Sequence, residues 1–127
     1  MKPRWLLMVS AVLAWLFGLM LLFNSRQFEA PMGIDVTDKI ATMAQAQGAI
    51  LLGLGVINWM CRDVADVRAL AAVFAGNLVV QLASLAVVVR SLALGLVPMQ
   101  AMPAVAIHVL LGAGFATFLL RLRRGQA

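Results

Sequence analysis

Charge and reactive side chains are scarce in this chain: among 127 residues there is one cysteine, one histidine and five acids. The single cysteine, Cys61, excludes an internal disulfide. Cys61 closes an apolar run beside Arg62, while the only histidine, His108, lies in a different run, so a nucleophilic thiolate has no basic partner nearby in sequence. A lone histidine also excludes bis-histidine haem ligation within one copy, and nothing in the methionine spacing favours a His–Met pair. All five acids, Glu29, Asp35, Asp38, Asp63 and Asp66, fall in the breaks between apolar runs. The buried carboxylates on which proton-coupled transporters rely are therefore missing. No Ser–His–Asp set, phosphate-binding glycine loop or dinucleotide fingerprint occurs. The expectation is a non-enzymatic protein with no cofactor.

What the chain has in abundance is apolar surface. It is 64% hydrophobic and 12% charged, with a mean hydropathy of +1.00, whereas a soluble domain is about half apolar and about a quarter charged. The run from Trp5 to Phe23 is interrupted only by Ser10 and Gly18, and Ala69 to Val89 carries no charge. Roughly 20 helical residues at about 1.5 Å each cover the ~30 Å hydrocarbon core of a bilayer. The class is integral membrane, and the lipid bilayer is the first partner. A net charge of +5 and a pI near 11.2 would point to nucleic acid in a soluble chain. Here the basic residues sit at the ends of the runs, with no basic arm or face, so nucleic-acid binding is not expected.

Four spans are predicted, at about 5–23, 37–61, 68–91 and 102–121, in a single domain covering 1–127. The first resembles a secretory signal, but its 19-residue apolar stretch exceeds the usual ~7–15, and "NSRQFEAPMG" offers no pair of small residues for cleavage. It reads as a retained helix. Pro31 and Gly33 break the chain before span two, with Asp35, Thr37 and Asp38 as start signals. "CRDVADVR" is a short charged hairpin. Gly95, Pro98 and Pro103 mark the third break, Pro103 fitting a first helical turn. The expected fold is all-α: an antiparallel up-down four-helix bundle. Lys2, Arg4, Arg62, Arg68, Arg121, Arg123 and Arg124 fall on one side, against Arg26, Lys39 and Arg90 on the other. The positive-inside rule then puts both termini in the cytoplasm, with Trp5 and Trp59 at that interface and Trp15 packing near mid-membrane.

Helices in lipid associate through small residues that permit close approach. Four-residue spacing picks out Ser10, Ala14 and Gly18 in span one, Ala49 and Gly53 in span two, Ala72 and Gly76 in span three, and Gly112 and Ala116 in span four. Polar residues carry more information, because a polar group in hydrocarbon needs a partner. Gln47 and Asn58, eleven residues apart, project about 20° from one another on a helix. Asn77, Gln81 and Ser84 share a face of span three. Asn58 and Asn77 read as polar packing, whereas Gln45, Gln47, Ser84 and His108 fall in the outer half, with Gln81 near the middle. There they form either interhelical hydrogen bonds or a pocket between helices two, three and four. Met99, Met102 and His108, with Met32 and Met43, have the softness for Cu(I). Methionine is equally an ordinary apolar residue in such segments, and no metal is expected.

The stretches "LLGLGVINWMCRD", "GNLVVQ" and "HVLLGAGFATFLL", set in four spans, resemble small bacterial four-helix membrane proteins in the neighbourhood of the DoxX-like proteins. The resemblance covers most of 5–121. It implies a four-helix fold and a bacterial inner membrane and brings no site residues with it. The leading functional expectation is a protein that acts by helix association, as an accessory subunit or homo-oligomer. The alternative is a carrier or sensor of a small amphiphile, a lipid or quinone, held near Gln47, Gln81 and His108.

Overall fold

A computed structural model describes residues 3–32 and 35–125, without the Met32 side chain. Lys2 of the charge asymmetry, Gly33 of the first break and the Met32 thioether lie outside the described residues. The chain forms α1 (Pro3–Glu29), α2 (Asp38–Met60), α3 (Val67–Ala93) and α4 (Met102–Arg123), with single 3₁₀ turns at Ala30–Met32, Cys61–Asp63 and Met99–Ala101. All four helices are long and apolar enough to cross a membrane. The protein is an all-α, integral membrane four-helix bundle.

Local chemistry sets the helix ends. The Thr37 hydroxyl accepts from the Ile40 amide, and the Asp66 carboxylate accepts from the Ala69 amide at 2.7 Å, each filling an N-terminal orphan donor of α2 and α3. At the far end of α3, Gly95 takes φ +67°. This lets the Gly95 and Leu96 amides turn back to Leu92 O and Ser91 O at 3.0 and 2.9 Å, the paired bonds of a Schellman stop. Pro103 occupies the first turn of α4, where its missing N–H costs nothing. One boundary differs from expectation: α1 does not stop at Phe23 but kinks at Asn24 (φ −134°, ψ 34°) and runs on to Glu29. Nothing between Ser25 and Glu29 forbids a helix, so termination waits for the turn that contains Pro31.

Cross-helix contacts fix an antiparallel register. Along α1 and α2, Arg4 pairs with Asp63 at 3.5 Å, Ser10 meets Asn58, Gly18 meets Gly48, and Arg26 pairs with Asp38. Along α3 and α4, Phe74 packs on Phe115 and Phe118, and Gln81 meets His108. The bundle is thus two hairpins, α1–α2 and α3–α4, each packed along its length and sharing much less surface with the other. Arg4, Arg62, Arg68 and Arg121 mark one end of the bundle, hereafter the basic end.

The buried positions repeat in sevens. In α1 the repeat runs through Leu7, Ala11, Ala14, Gly18 and Ser25, with Leu6 and Ser10 buried beside it; in α2 it runs through Ala41, Ala44, Gly48, Gly55 and Asn58. Alternating three- and four-residue steps of this kind form the seam of left-handed helix packing. In the α1–α2 seam the contact is backbone to backbone: a Cβ on Gly48 would lie 2.7 Å from Gly18 O and 2.8 Å from Leu22 N. A Cβ on Gly55 would run into the Trp15 ring, which packs tilted against Trp59 with ring centroids 5.4 Å apart. The α3–α4 seam uses bulk instead. Leu70, Phe74, Leu111, Phe115 and Phe118 pack with Leu6 and Leu7 into an apolar core in the half nearer the basic end.

The small residues chosen on four-residue spacing therefore divide. Ser10, Ala14, Gly18 and Gly112 are buried, and Ala116 is half-buried. Ala49, Gly53, Ala72 and Gly76 are exposed, and a Cβ added to Gly53 or Gly76 meets no atom within 4 Å. Within this chain the close approach falls on Gly48 and Gly55 instead, one step round the helix.

Candidate functional site

Two polar constellations lie inside the bundle. The first is a closed clasp between the hairpins. Asn58 Nδ2 donates to Asn77 Oδ1 at 2.9 Å, and Asn77 Nδ2 returns a bond to Asn58 Oδ1 at 2.6 Å. Asn58 Nδ2 also donates to Ser10 Oγ at 3.1 Å, and Asn77 Nδ2 to Val73 O at 2.9 Å. Asn58 is 0% and Asn77 2% exposed. Every amide atom of the two asparagines has a partner, so the polar-packing role expected of them has a definite geometry. Ser10, singled out only for its size, is their third member. The clasp leaves no asparagine amide atom without a partner to act on a ligand.

The second constellation is open-ended. Beyond the clasp, away from the basic end, the hairpins part around a chamber of about 370 Å³, near the lower end of the ~300–1,000 Å³ typical of small-molecule sites. Its walls are mostly leucine, alanine and phenylalanine, from all four helices rather than only the last three: α1 adds Leu13, Phe17, Leu21 and Phe28. Its polar groups are Ser10, Gln47, Gln81, Ser84, Gln100 and His108. No Asp, Glu, Lys or Arg is among the described residues that line it.

The pair at its heart is Gln81 and His108. Heptad spacing from Phe74 turns Gln81 inward, where it is 5% exposed. Gly112, one turn beyond His108, faces the Gln81 stem, where an added Cβ would make an ordinary contact with Gln81 Cβ at 3.5 Å. His108 Nδ1–H donates to Gln81 Oε1 at 2.7 Å. Gln47 lies toward the surface, exposed yet still on the chamber wall. The chamber thus runs from the outside of the bundle to a buried polar pair.

Of the five candidate pocket residues, Gln47, Gln81, Ser84 and His108 line this chamber. Gln45 does not: it is exposed and outside the lining, because two residues along a helix is a 200° turn away from Gln47. Gln100 was not anticipated. Its signal is a lone amide within the otherwise apolar "VPMQAMP" break, read only as an interfacial loop. Met43, Met99 and Met102 are exposed, and no group of three or more His, Cys, Asp or Glu side chains among the described residues is placed to hold a metal.

No protein-family model matches the chain, and no curated protein or solved structure matches it. The geometry of the chamber and the clasp alone bears on function.

Proposed function

We propose that this protein is a non-enzymatic binder of a small amphiphile, acting as its carrier or sensor in a bacterial inner membrane, with both chain ends in the cytoplasm. The observation that carries the reading is the uncharged chamber between the hairpins, apolar along its walls and ending on the buried Gln81–His108 pair. Apolar enclosure with a few convergent polar groups is the usual form of a small-molecule site. A DoxX-like kinship, proposed on the same architecture, supplies no residue role. The test is lipid extraction and mass spectrometry of protein purified in mild detergent. Wild type should retain a defined small amphiphile that Ala104→Trp, which fills the chamber, loses. Equal retention of the same lipids by both proteins overturns the reading.

A second reading is association with another copy or a membrane partner through the outer faces of α2 and α3. Gly53 and Gly76 favour it, since an added Cβ at either meets none of the described residues within 4 Å, and close backbone approach is how helices associate in lipid. An oligomer or partner complex in mild detergent that Gly53→Leu and Gly76→Leu dissociate supports this reading. A monomer that captures nothing refutes it.

A further inference from the structure

The basic end carries more positive charge than the acids beside it can match. Six arginines gather there, Arg4, Arg62, Arg68, Arg121, Arg123 and Arg124, against two acids, Asp63 and Asp66. Arg4 and Arg62 share Asp63, at 3.5 and 3.3 Å, and the Asp66 carboxylate caps α3. Among the described residues, no carboxylate pairs with Arg68, Arg121, Arg123 or Arg124.

Arg121 also closes an apolar groove. This open depression of about 270 Å³ runs along the outer face of α4, lined by Ala113, Gly114, Thr117, Phe118 and Arg121. The Thr117 hydroxyl donates to Ala113 O at 2.7 Å, within its own helix, which leaves the groove wall apolar as far as Arg121. The Arg121 guanidinium carbon lies 5.5 Å from the centre of the Phe118 ring. A cation–π contact therefore holds the charge at the groove's end, where a counter-ion would otherwise sit. From Ala113 to Arg121 is eight residues, about 12 Å of helix and most of the ~15 Å of hydrocarbon in one leaflet.

We infer that the groove seats one anionic phospholipid from the leaflet at the basic end, with its phosphate on Arg121 and an acyl chain along Ala113, Gly114 and Thr117. Charge complementarity selects the head: a guanidinium donates two parallel hydrogen bonds to the paired oxygens of a phosphodiester. Net negative charge is required because Arg123 and Arg124, exposed and without a carboxylate, lie just beyond Arg121 and repel the ammonium of a zwitterionic head. Length and polarity select the rest of the occupant. A free phosphate or a nucleic acid has no apolar chain to fill a groove that runs back into the span. The site is separate from the chamber, whose lining on α4 ends at Leu111.

The test is native mass spectrometry of the full chain, delipidated in mild detergent and offered equal amounts of dioleoyl phosphatidylglycerol and dioleoyl phosphatidylcholine. One phosphatidylglycerol should be retained at least about fivefold more than phosphatidylcholine, the effect of one basic residue at the membrane surface. Arg121→Gln should lower that preference by about fivefold, and Arg124→Gln by about twofold or less. Ala113→Phe, which fills the groove at unchanged charge, should also release the bound lipid. Ala113 and Arg121 are exposed, and a circular-dichroism melt of each variant reads the fold directly. Equal retention of the two lipids by wild type overturns the inference. So does a preference that Ala113→Phe leaves intact, or that Arg124→Gln lowers as much as Arg121→Gln, since either result assigns the lipid to the general charge of the surface.

Discussion

Removing either asparagine of the clasp should cost more than half of what removing both costs. Asn58→Leu breaks three interhelical bonds, two to Asn77 and one to Ser10; Asn77→Leu breaks the two that the asparagines share. Interhelical hydrogen bonds in membrane proteins average about 0.6 kcal/mol, which gives about 2 kcal/mol for Asn58→Leu and about 1 kcal/mol for Asn77→Leu. The double variant loses the same three bonds as Asn58→Leu alone. It should therefore be about 1 kcal/mol less destabilised than the two singles taken together. The bond from Asn77 to Val73 is local to α3 and is lost in the single and the double alike, so it drops out of the comparison. A double-mutant cycle measures this directly, with reversible unfolding by SDS in mixed micelles followed by circular dichroism. Additive costs within about 0.3 kcal/mol, or singles as stable as wild type, would refute the clasp as a coupled unit.

Two further outcomes follow from positions described above. Gly48→Ala should lower stability by about 1–3 kcal/mol, as overpacking does, because its Cβ would press on the α1 backbone; Gly53→Ala on the same helix should be neutral or stabilising by up to about 1 kcal/mol from helix propensity, and equal costs in the same unfolding assay would contradict the seam. Cys61, half-buried at the basic end, is a built-in reporter of sidedness: a membrane-impermeant maleimide should spare it in intact cells and label it in inverted vesicles, and the opposite pattern reverses the proposed orientation.

The spans were legible because lipid imposes one rule, long apolar runs bounded by charge, and the four helices obey it. The faces were legible only in part. Asn58 and Asn77 each need a partner in hydrocarbon, but that each is the other's partner depends on which helices adjoin, which periodicity does not encode. Ala49 and Gly53, or Ala72 and Gly76, satisfy four-residue spacing yet lie off the seam, because packed helices bury alternating three- and four-residue steps. Gly48 and Gly55, seven apart, carried the signal that four-residue spacing passed over. Gln81, Ser84 and His108 came together as one polar region because antiparallel depth could be counted. The contribution of α1 to the chamber could not be counted this way: Leu13, Phe17 and Leu21 look like any lipid-facing residues until the partner hairpin is placed beside them.

The clasp also has a mechanical consequence. It ties the hairpins at one level of the bundle, and sliding them apart there would strand three hydrogen-bonding side chains in hydrocarbon. The Gly18–Gly48 contact holds α1 to α2 with almost no side chain between them, so the first hairpin moves as a rigid blade. If the chamber takes the amphiphile proposed above, the movement that widens it is a rotation about the asparagine pair, largest at the Phe28 and Gln100 end. On that reading the clasp, which holds the bundle together, also sets the direction from which a guest would enter.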